Sequence, residues 1–411
     1  MQLVSLIISV LSFAVSVAVI IIFNVTSYKK QKFDERLAKF NSIDKILSSN
    51  LPQVCLKLVE VHKKLQESDS WVFDKNLIYK KSWIPKSATI KLSEIKLTAD
   101  GEYNRLDEHL KIYDKSCIAL KHGNISDNML LFGNQNIYNN MSYAVKNIEV
   151  ANDVLSINVM YGNYFDYIDT CFRYKFEAAS LSLNSNEKKA MVRKMHSITN
   201  FNNRFCAIGI STIIILKNYK HKNNDPKHYF LLHERSSSVS DESGLIAAIP
   251  GGNFQPSAKT ANEIKKHFTD DKLVFNGQST ALEVNVAREI FEEVLGVDEY
   301  SALVSDEQVA KHPLFEHITK NLYFLGCGLN PVTAFLEVLT FCVIDMRNEN
   351  NYNLFSKLCS STETNGEIKV KIFDKHIIEH YKILPKSCLS LKHSCKSIAD
   401  KFNEISSILD S

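Results

Sequence analysis

The sequence lacks the cysteine pairs that a disulfide framework or a structural zinc site requires. Nine cysteines are scattered along 411 residues, and none of them forms a CxxC pair. An odd number of cysteines without a regular spacing argues against both kinds of site. Unpaired cysteines are typical of a reducing compartment.

Charged side chains are missing from the first 28 residues, because the first one is Lys29. An apolar run of about 20 residues is long enough to cross a bilayer as a helix. A cleaved signal peptide would need a basic start, a shorter apolar run and a small-residue cleavage site. The sequence therefore predicts a transmembrane anchor at residues 1–28.

Lysines at positions 29, 30 and 32 follow the predicted anchor. Positive charge beside a membrane span marks its cytoplasmic side. We therefore expect a single-pass membrane protein that contacts the lipid bilayer and holds its C-terminal domain in the cytoplasm.

Several functional classes are also absent from the pattern. The net charge is only +3, and no basic stripe marks a nucleic-acid footprint, so no nucleic-acid partner is expected. No GxSxG, P-loop or HExxH motif is present. Serine hydrolases, P-loop NTPases and zincins therefore have no support.

Residues 29–198 make up a second predicted region. Apolar residues recur at three- and four-residue steps between residues 31 and 68, which is typical of helices. The heptads are irregular, so a coiled-coil homodimer and packing on the main domain both stay open. We predict a mostly helical middle region.

Residues 199–411 show a different pattern, with β-branched runs on both sides of one strong helical segment. The helix is predicted over Ala281–Leu295 and should end at Gly296, since glycine commonly terminates helices. Strands are expected at residues 206–216, 229–233, 244–249, 322–326 and 334–344. Strands before and after a central helix indicate an α+β domain with a mixed sheet.

The predicted helix carries the segment Arg288-Glu-Ile-Phe-Glu-Glu293. Glu289, Glu292 and Glu293 are separated by helical steps of three and four, so three carboxylates share one face. Like charges at this spacing destabilise a helix unless a cation offsets them, and magnesium is the usual cation in phosphate chemistry. The alternative is a solvated acidic face.

This segment resembles the signature helix of the Nudix hydrolase superfamily, which reads Arg-Glu-apolar-x-Glu-Glu and is soon followed by glycine. In that family a strand ending in Gly-Gly leads into the helix, and Ile249-Pro-Gly-Gly252 stands ahead of it here. The resemblance covers about residues 203–350. It implies a Nudix-like mixed-sheet α/β/α sandwich.

The resemblance also implies a metal site. Glu289, Glu292 and Glu293 would bind magnesium, with manganese as an alternative, helped by a backbone carbonyl at Gly251 or Gly252. The metal would polarise a diphosphate and help to activate water.

Arg288 would orient the acidic cluster by ion pairing, and together with Glu292 and Glu293 it forms the implied catalytic set. A carboxylate outside the helix often completes such a site, and Glu337 is our candidate for this further metal ligand. A charge in an apolar strand is costly unless it is paired or faces a site. The alternative is an edge-strand charge that discourages aggregation.

The chain departs from the family pattern in the loop before the helix. Gly252 and Arg288 lie 36 positions apart, and the excess is predicted as an insertion at residues 253–276. Gln278 stands where a glutamate is expected, unless Glu283 substitutes for it. One extra residue, Leu295, separates the double glutamate from the glycine. We expect an intact catalytic helix beside a remodelled loop.

Three functions are compatible with this reading. The first is a membrane-anchored, magnesium-dependent hydrolase that cleaves the pyrophosphate bond of a nucleoside-diphosphate-type substrate. The second is a catalytically degenerate nucleotide-binding sensor or effector module at the membrane. The third makes the middle region a partner-docking surface with the sandwich as its scaffold.

Overall fold

The fold is described from a computed structural model of the chain. The structure describes residues 27–28, 31, 53–64, 70–102, 140–171, 174, 198–220, 225–235, 244–256, 274–275, 279–297, 305–355 and 367–411.

The predicted membrane span is not supported. Among the described residues, no helix is both long enough and apolar enough to cross a membrane. Residues 1–26, which hold most of the predicted span, lie outside the described part of the chain. The prediction of a single-pass membrane protein is therefore corrected, and the fold class of the described residues is a mixed α+β architecture in which no transmembrane helix is found.

The middle region is not mostly helical where it is described. Residues 53–64 form a helix, but the rest of the described region is mainly extended. Its strands are β1 (Trp71–Phe73), β2 (Ile78–Lys80), β3 (Lys96–Glu102), β4 (Met141–Ala151) and β5 (Val154–Asn163).

A tight hairpin explains the error in this region. Strands β4 and β5 pair antiparallel up to Ala151 and Val154. The two residues between them, Asn152 and Asp153, have φ values of 51° and 61°. Positive φ at both positions is what a two-residue type I′ hairpin needs. Alternating burial along β5 then shows the two-residue period of a strand, which the search for helical steps missed.

The later strands build the centre of the sheet. They are β6 (Cys206–Tyr219), β7 (Lys227–Glu234), β8 (Ile246–Ala248), β9 (Gly251–Asn253), β12 (Leu322–Leu329), β13 (Leu336–Asp345) and β14 (Glu367–Ile372). Strands β10 (Val274–Phe275) and β11 (Ser279–Thr280) form a separate pair. In the described part of the chain, 12 strands form one mixed sheet.

Strand β6 organises this sheet. One edge of β6 pairs in parallel with β13 from Ile208 to Lys217. Its other edge meets three partners in turn, because β4, β9 and β7 pair with successive parts of it. The first twelve residues of β6 are all buried, so both faces of the sheet are covered. The β4–β6 pairing also joins strands from both sides of the predicted boundary at residue 198.

Helices lie before, between and after these strands. They are α1 (Tyr164–Thr170), α2 (Ala281–Glu289), α3 (Asp306–Ala310), α4 (Phe315–Lys320), α5 (Glu349–Phe355), α6 (Lys375–Ile383), α7 (Leu389–Asp400) and α8 (Phe402–Asp410). Helix α2 carries the acidic segment, and α7 packs on β8, β12 and β13. These two helices frame the site described next.

Candidate functional site

The acidic helix is not a regular α-helix to its end. Helix α2 stops at Glu289, and Ile290–Val294 continues it as a π-helical turn. The Leu295 N–H donates to the Ile290 carbonyl at 3.2 Å, which is an i to i+5 bond. Gly296, with φ of 68°, then ends the helix as predicted.

The π-helical turn accommodates Leu295, the extra residue between the double glutamate and Gly296. A bond that spans five residues instead of four accommodates one more residue in a single turn. Each residue in it turns through a smaller angle, so the α-helical register that aligned Glu289, Glu292 and Glu293 on one face ends at Glu289. The predicted regular helix is therefore corrected to an α-helix followed by a π-helical turn, while the catalytic role of its glutamates stays a prediction.

Arg288 contacts two of the three carboxylates. Its guanidinium lies 3.8 Å from Glu289 and 3.8 Å from Glu292. All three residues are buried, with exposed fractions of 3%, 9% and 6%. Buried charges are costly unless they are paired. The orienting role that the resemblance implies for Arg288 is compatible with these contacts.

The other contacts of the cluster are with the Gly-Gly segment in β9. The Gly251 N–H donates to Glu293 Oε2 at 2.9 Å. Glu289 packs so closely on Gly252 that an added Cβ there would lie 2.4 Å from its Oε2. The acidic helix is thus docked on the strand that the resemblance pointed to, and a side chain at Gly252 would push Glu289 away.

Asn285 is a site residue that sequence reasoning missed. Its Oδ1 accepts from Arg288 Nη2 at 2.9 Å and from the Gln255 N–H at 3.1 Å. Its Nδ2 donates to Glu289 Oε1 at 3.3 Å, and Arg288 also donates to the Gln255 carbonyl at 3.0 Å. Asn285 therefore ties the acidic helix to the loop after β9. An asparagine inside an otherwise apolar helical run was the available signal, since asparagine is a weak helix former.

Tyr143 is a second residue that the sequence did not reveal. It packs on Phe254 with ring centroids 4.4 Å apart, and its backbone N–H donates to the Phe254 carbonyl. Burial raises the pKa of Tyr143 well above its usual value, and the positive charge of Arg288 acts weakly against that rise. Tyr143 thus brings the apolar side of β4 close to the buried arginine.

The structure does not bring Glu337 to the acidic cluster. Glu337 pairs with Gly209, and Gly209 pairs with Asn253, so these residues share one face of the sheet. Gly252 belongs to the next row, and consecutive residues point to opposite faces. Because Glu289 packs on Gly252, Glu337 lies on the other face of the sheet. Its prediction as a fourth ligand beside the helical glutamates is corrected.

The edge-strand alternative for Glu337 is also wrong. Strand β13 lies between β12 and β6, in the interior of the sheet. The carboxylate packs on Gly209, where an added Cβ would be 2.9 Å from Oε2. Asn330 Nδ2 is 3.4 Å from its Oε1. The Glu337 carboxylate, on an interior strand, is therefore held in one position by Asn330 and Gly209.

Glu337 lines a cavity of about 220 Å³, which Gly251 and Gly252 also line. We call it the Glu337 cavity. Its wall residues include Tyr164, Gly209, Arg235, Asn330, Phe335 and Ser390. Beside it, burial and, less strongly, the charge of Arg235 lower the pKa of His233.

A ready-made metal centre is not found in the described part of the chain, where no three His, Cys, Asp or Glu side chains converge as metal ligands. The acidic residues do supply the oxygen donors that magnesium prefers. Glu289 packs where a Gly252 side chain would stand, and Glu293 accepts a hydrogen bond from the Gly251 N–H at 2.9 Å, so two carboxylates meet the Gly-Gly segment. The residues thus fit a cation that relies on few protein ligands, and they do not fit a fully protein-ligated one.

The remodelled loop is only partly described. Residues 257–273 and 276–278, which include most of the predicted insertion and Gln278, lie outside the described residues. Glu283, the candidate substitute, is 2% exposed and buried in α2.

Comparisons with known proteins add little to this geometry. No family model matches the chain, and no curated protein matches it. Among solved structures, it is similar to one described as a mutT/nudix family protein from Listeria innocua. The sequence identity is 15%, the match covers 49% of this chain and 97% of that chain, and the TM-score is 0.28. A likeness with a TM-score this low carries no argument about family or activity.

Proposed function

We propose that the chain is a hydrolase that cleaves the phosphoric anhydride bond of a nucleoside-diphosphate-type compound. The observation that carries the proposal is the docking of the acidic helix on Gly251 and Gly252. This arrangement holds the carboxylates of Glu289 and Glu293 against two glycines, whose backbone is not covered by side chains of their own. A phosphate group could approach such a surface closely.

Glu289 and the backbone of Gly252 are the residues that would hold a magnesium ion, with manganese as an alternative. Magnesium keeps several waters and is usually bound by one or two carboxylates together with substrate phosphates. The absence of a three-ligand cluster among the described residues is therefore compatible with its use. When bound, such an ion polarises the phosphoryl oxygens and lowers the pKa of water.

The remaining residues would position and move protons. Glu293, fixed by the Gly251 N–H, would accept the proton of the attacking water as a general base. The water oxygen forms a new bond to phosphorus while the bond from phosphorus to the bridging oxygen breaks. Arg288 would hold Glu289 and Glu292 in place through its two contacts.

The test is turnover of a panel of nucleoside-diphosphate derivatives by the full chain with magnesium. The double variant Glu292→Gln, Glu293→Gln should lose turnover by about 10²–10⁴-fold, the usual contribution of a general base. Glu316→Gln is the matched control, because that glutamate lies on α4 with a side chain 78% exposed. Equal turnover in the double variant and the control would refute the proposal.

A second candidate is a nucleotide-binding module without turnover. It is favoured by the burial of Arg288, Glu289 and Glu292 and by the ion pairing among them. A ligand that binds only the folded state raises the unfolding temperature. This candidate predicts stabilisation by a nucleotide diphosphate with no product, whereas the hydrolase predicts product whenever that ligand and magnesium are both present.

A further inference from the structure

The Glu337 carboxylate lies on the face of the sheet opposite the acidic helix, and the cavity that it lines also reaches Gly251 and Gly252. Its volume of about 220 Å³ is smaller than the range of roughly 300–1,000 Å³ typical of sites for drug-sized ligands. A small molecule fits this space better than a complete dinucleotide. The ligand considered for this cavity is therefore a different molecule from the proposed nucleotide substrate, although the cavity adjoins the Gly251–Gly252 segment.

One side of the cavity carries a fixed negative charge. Asn330 accepts from the N–H groups of Val332 and Thr333 at 3.0 and 3.3 Å, which sets the orientation of its amide. The same amide holds Glu337 from one side, while Gly209 leaves room for the carboxylate on the other. A carboxylate held in place inside a cavity is suited to binding an ammonium group.

A positively charged residue, Arg235, borders the cavity at the end of β7. Arg235 directly follows β7, and its backbone is fixed by two hydrogen bonds, to the Leu245 carbonyl and from the Gly244 N–H. Arg235 is one of the residues that line the cavity. A guanidinium is the preferred side chain for binding carboxylate or phosphate groups.

The remaining walls are aromatic or small. The rings of Phe335 and Tyr167 pack in a tilted arrangement with centroids 4.2 Å apart. The rings of Tyr164 and Tyr167 are also tilted, with centroids 5.6 Å apart. Ala247 and Ala248 line another part, where larger side chains would fill the space. Aromatic faces attract cations and also pack against apolar groups.

We propose that the Glu337 cavity binds a small zwitterion, with its ammonium group on Glu337 and its carboxylate or phosphate group on Arg235. The short carbon segment between the two charged groups lies against Phe335 and Tyr164. A ligand with only one of the two charges leaves either the carboxylate or the guanidinium without its partner in the ligand. Free amino acids and amine-bearing phosphates share the required chemistry.

Calorimetric titration of the full chain tests this assignment. The probes are phosphoethanolamine and L-phenylalanine as zwitterions, ethanolamine as the ammonium alone and inorganic phosphate as the anion alone. We expect at least one zwitterion to bind more tightly than either single-charge probe. Whichever zwitterion binds identifies the anionic group that the cavity accepts.

Variants then locate the binding. Glu337→Gln keeps the shape of the side chain, and Arg235→Gln removes the guanidinium. Each should weaken the zwitterion about tenfold or more, equivalent to about 1.4 kcal/mol. Glu316→Gln is the control on the exposed surface, and thermal unfolding of each variant verifies that it is folded. Gly209→Ala serves as an independent second variant, since its new methyl group would displace the Glu337 carboxylate.

The outcomes separate this proposal from the proposed hydrolysis. Zwitterion binding that persists in Glu293→Gln supports the cavity even if no substrate is ever turned over. Failure of both zwitterions to bind, or undiminished binding in both Glu337→Gln and Gly209→Ala, would overturn the proposal. Equal binding of inorganic phosphate and phosphoethanolamine would also overturn it, because the ammonium group would then contribute nothing.

Discussion

Where β9 pairs with β6, each face of the sheet carries a glutamate packed on a glycine, but the surroundings of the two glutamates differ. On one face Glu289 packs on Gly252, and on the other Glu337 packs on Gly209. Glu289 lies in a network with Arg288 and Asn285. Glu337 borders a cavity instead. In both cases the glycine is needed because a carboxylate occupies the place of its side chain.

This difference shows what a sequence motif can detect. The helix-borne carboxylates are recognisable because several of them recur at a short spacing. The strand-borne carboxylate is one charge in an apolar run, and its meaning depends on which face it occupies. Substitutions that act on one face alone can therefore test whether the two carboxylates have separate roles.

Gly252→Ala should have the largest effect. Its Cβ would lie 2.4 Å from Glu289 Oε2 and 2.5 Å from Cδ, so the carboxylate must move. Misplacing a catalytic group by about 1 Å can cost roughly 10²-fold in rate. Steady-state turnover with magnesium measures the loss, and full activity in this variant would show that Glu289 does not need its observed position.

Gly209→Ala should act on the other face. The added methyl group would push the Glu337 carboxylate, whose Oε2 is 2.9 Å from it. We expect zwitterion affinity to fall about tenfold, equivalent to about 1.4 kcal/mol. Calorimetric titration measures this change. Loss of turnover as large as that in Gly252→Ala would contradict the separation of the two faces.

Asn285→Ala should destabilise the acidic-helix face. The substitution removes the acceptor for the buried Arg288 guanidinium and for the partly buried Gln255 N–H. A buried donor left without its acceptor costs about 1–3 kcal/mol. Urea unfolding measures the change in the free energy of unfolding. An unchanged midpoint would mean that Asn285 does not tie the helix to the loop.

Gly251→Ala should have the smallest effect and is the matched control for Gly252→Ala. Its Cβ would meet nothing closer than 3.6 Å, which is ordinary contact, and the backbone N–H to Glu293 would remain. We expect a change in stability within about 0.5 kcal/mol, as for most substitutions away from packed features. Thermal unfolding provides the measurement, and a large destabilisation would show that the space around β9 is tighter than described.

The helical half of the site was predictable from sequence, and the strand half was not. Apolar spacing predicted a helix over Ala281–Leu295, and Gly296 marked its end because glycine readily adopts positive φ. The π-helical turn was not predicted, since a single extra residue does not reveal where a helix will absorb it. The face of Glu337 was inaccessible because it depends on the pairing register of β13 with β6 and β9.

The β4–β5 hairpin of the middle region was also not predictable from the sequence. Positive φ at Asn152 and Asp153 closes the β4–β5 hairpin, but these residues are also common in loops and helix caps. The transmembrane helix predicted from apolar composition has no support among the described residues.

The most direct test compares the two carboxylates in one turnover assay. Glu289→Gln and Glu337→Gln are assayed with magnesium on the same nucleoside-diphosphate panel, beside the exposed control Glu316→Gln. The account predicts a loss of at least about 10²-fold for Glu289→Gln and a much smaller loss for Glu337→Gln. Equal losses in the two variants would contradict it, because Glu337 would then act together with the helical glutamates at one site.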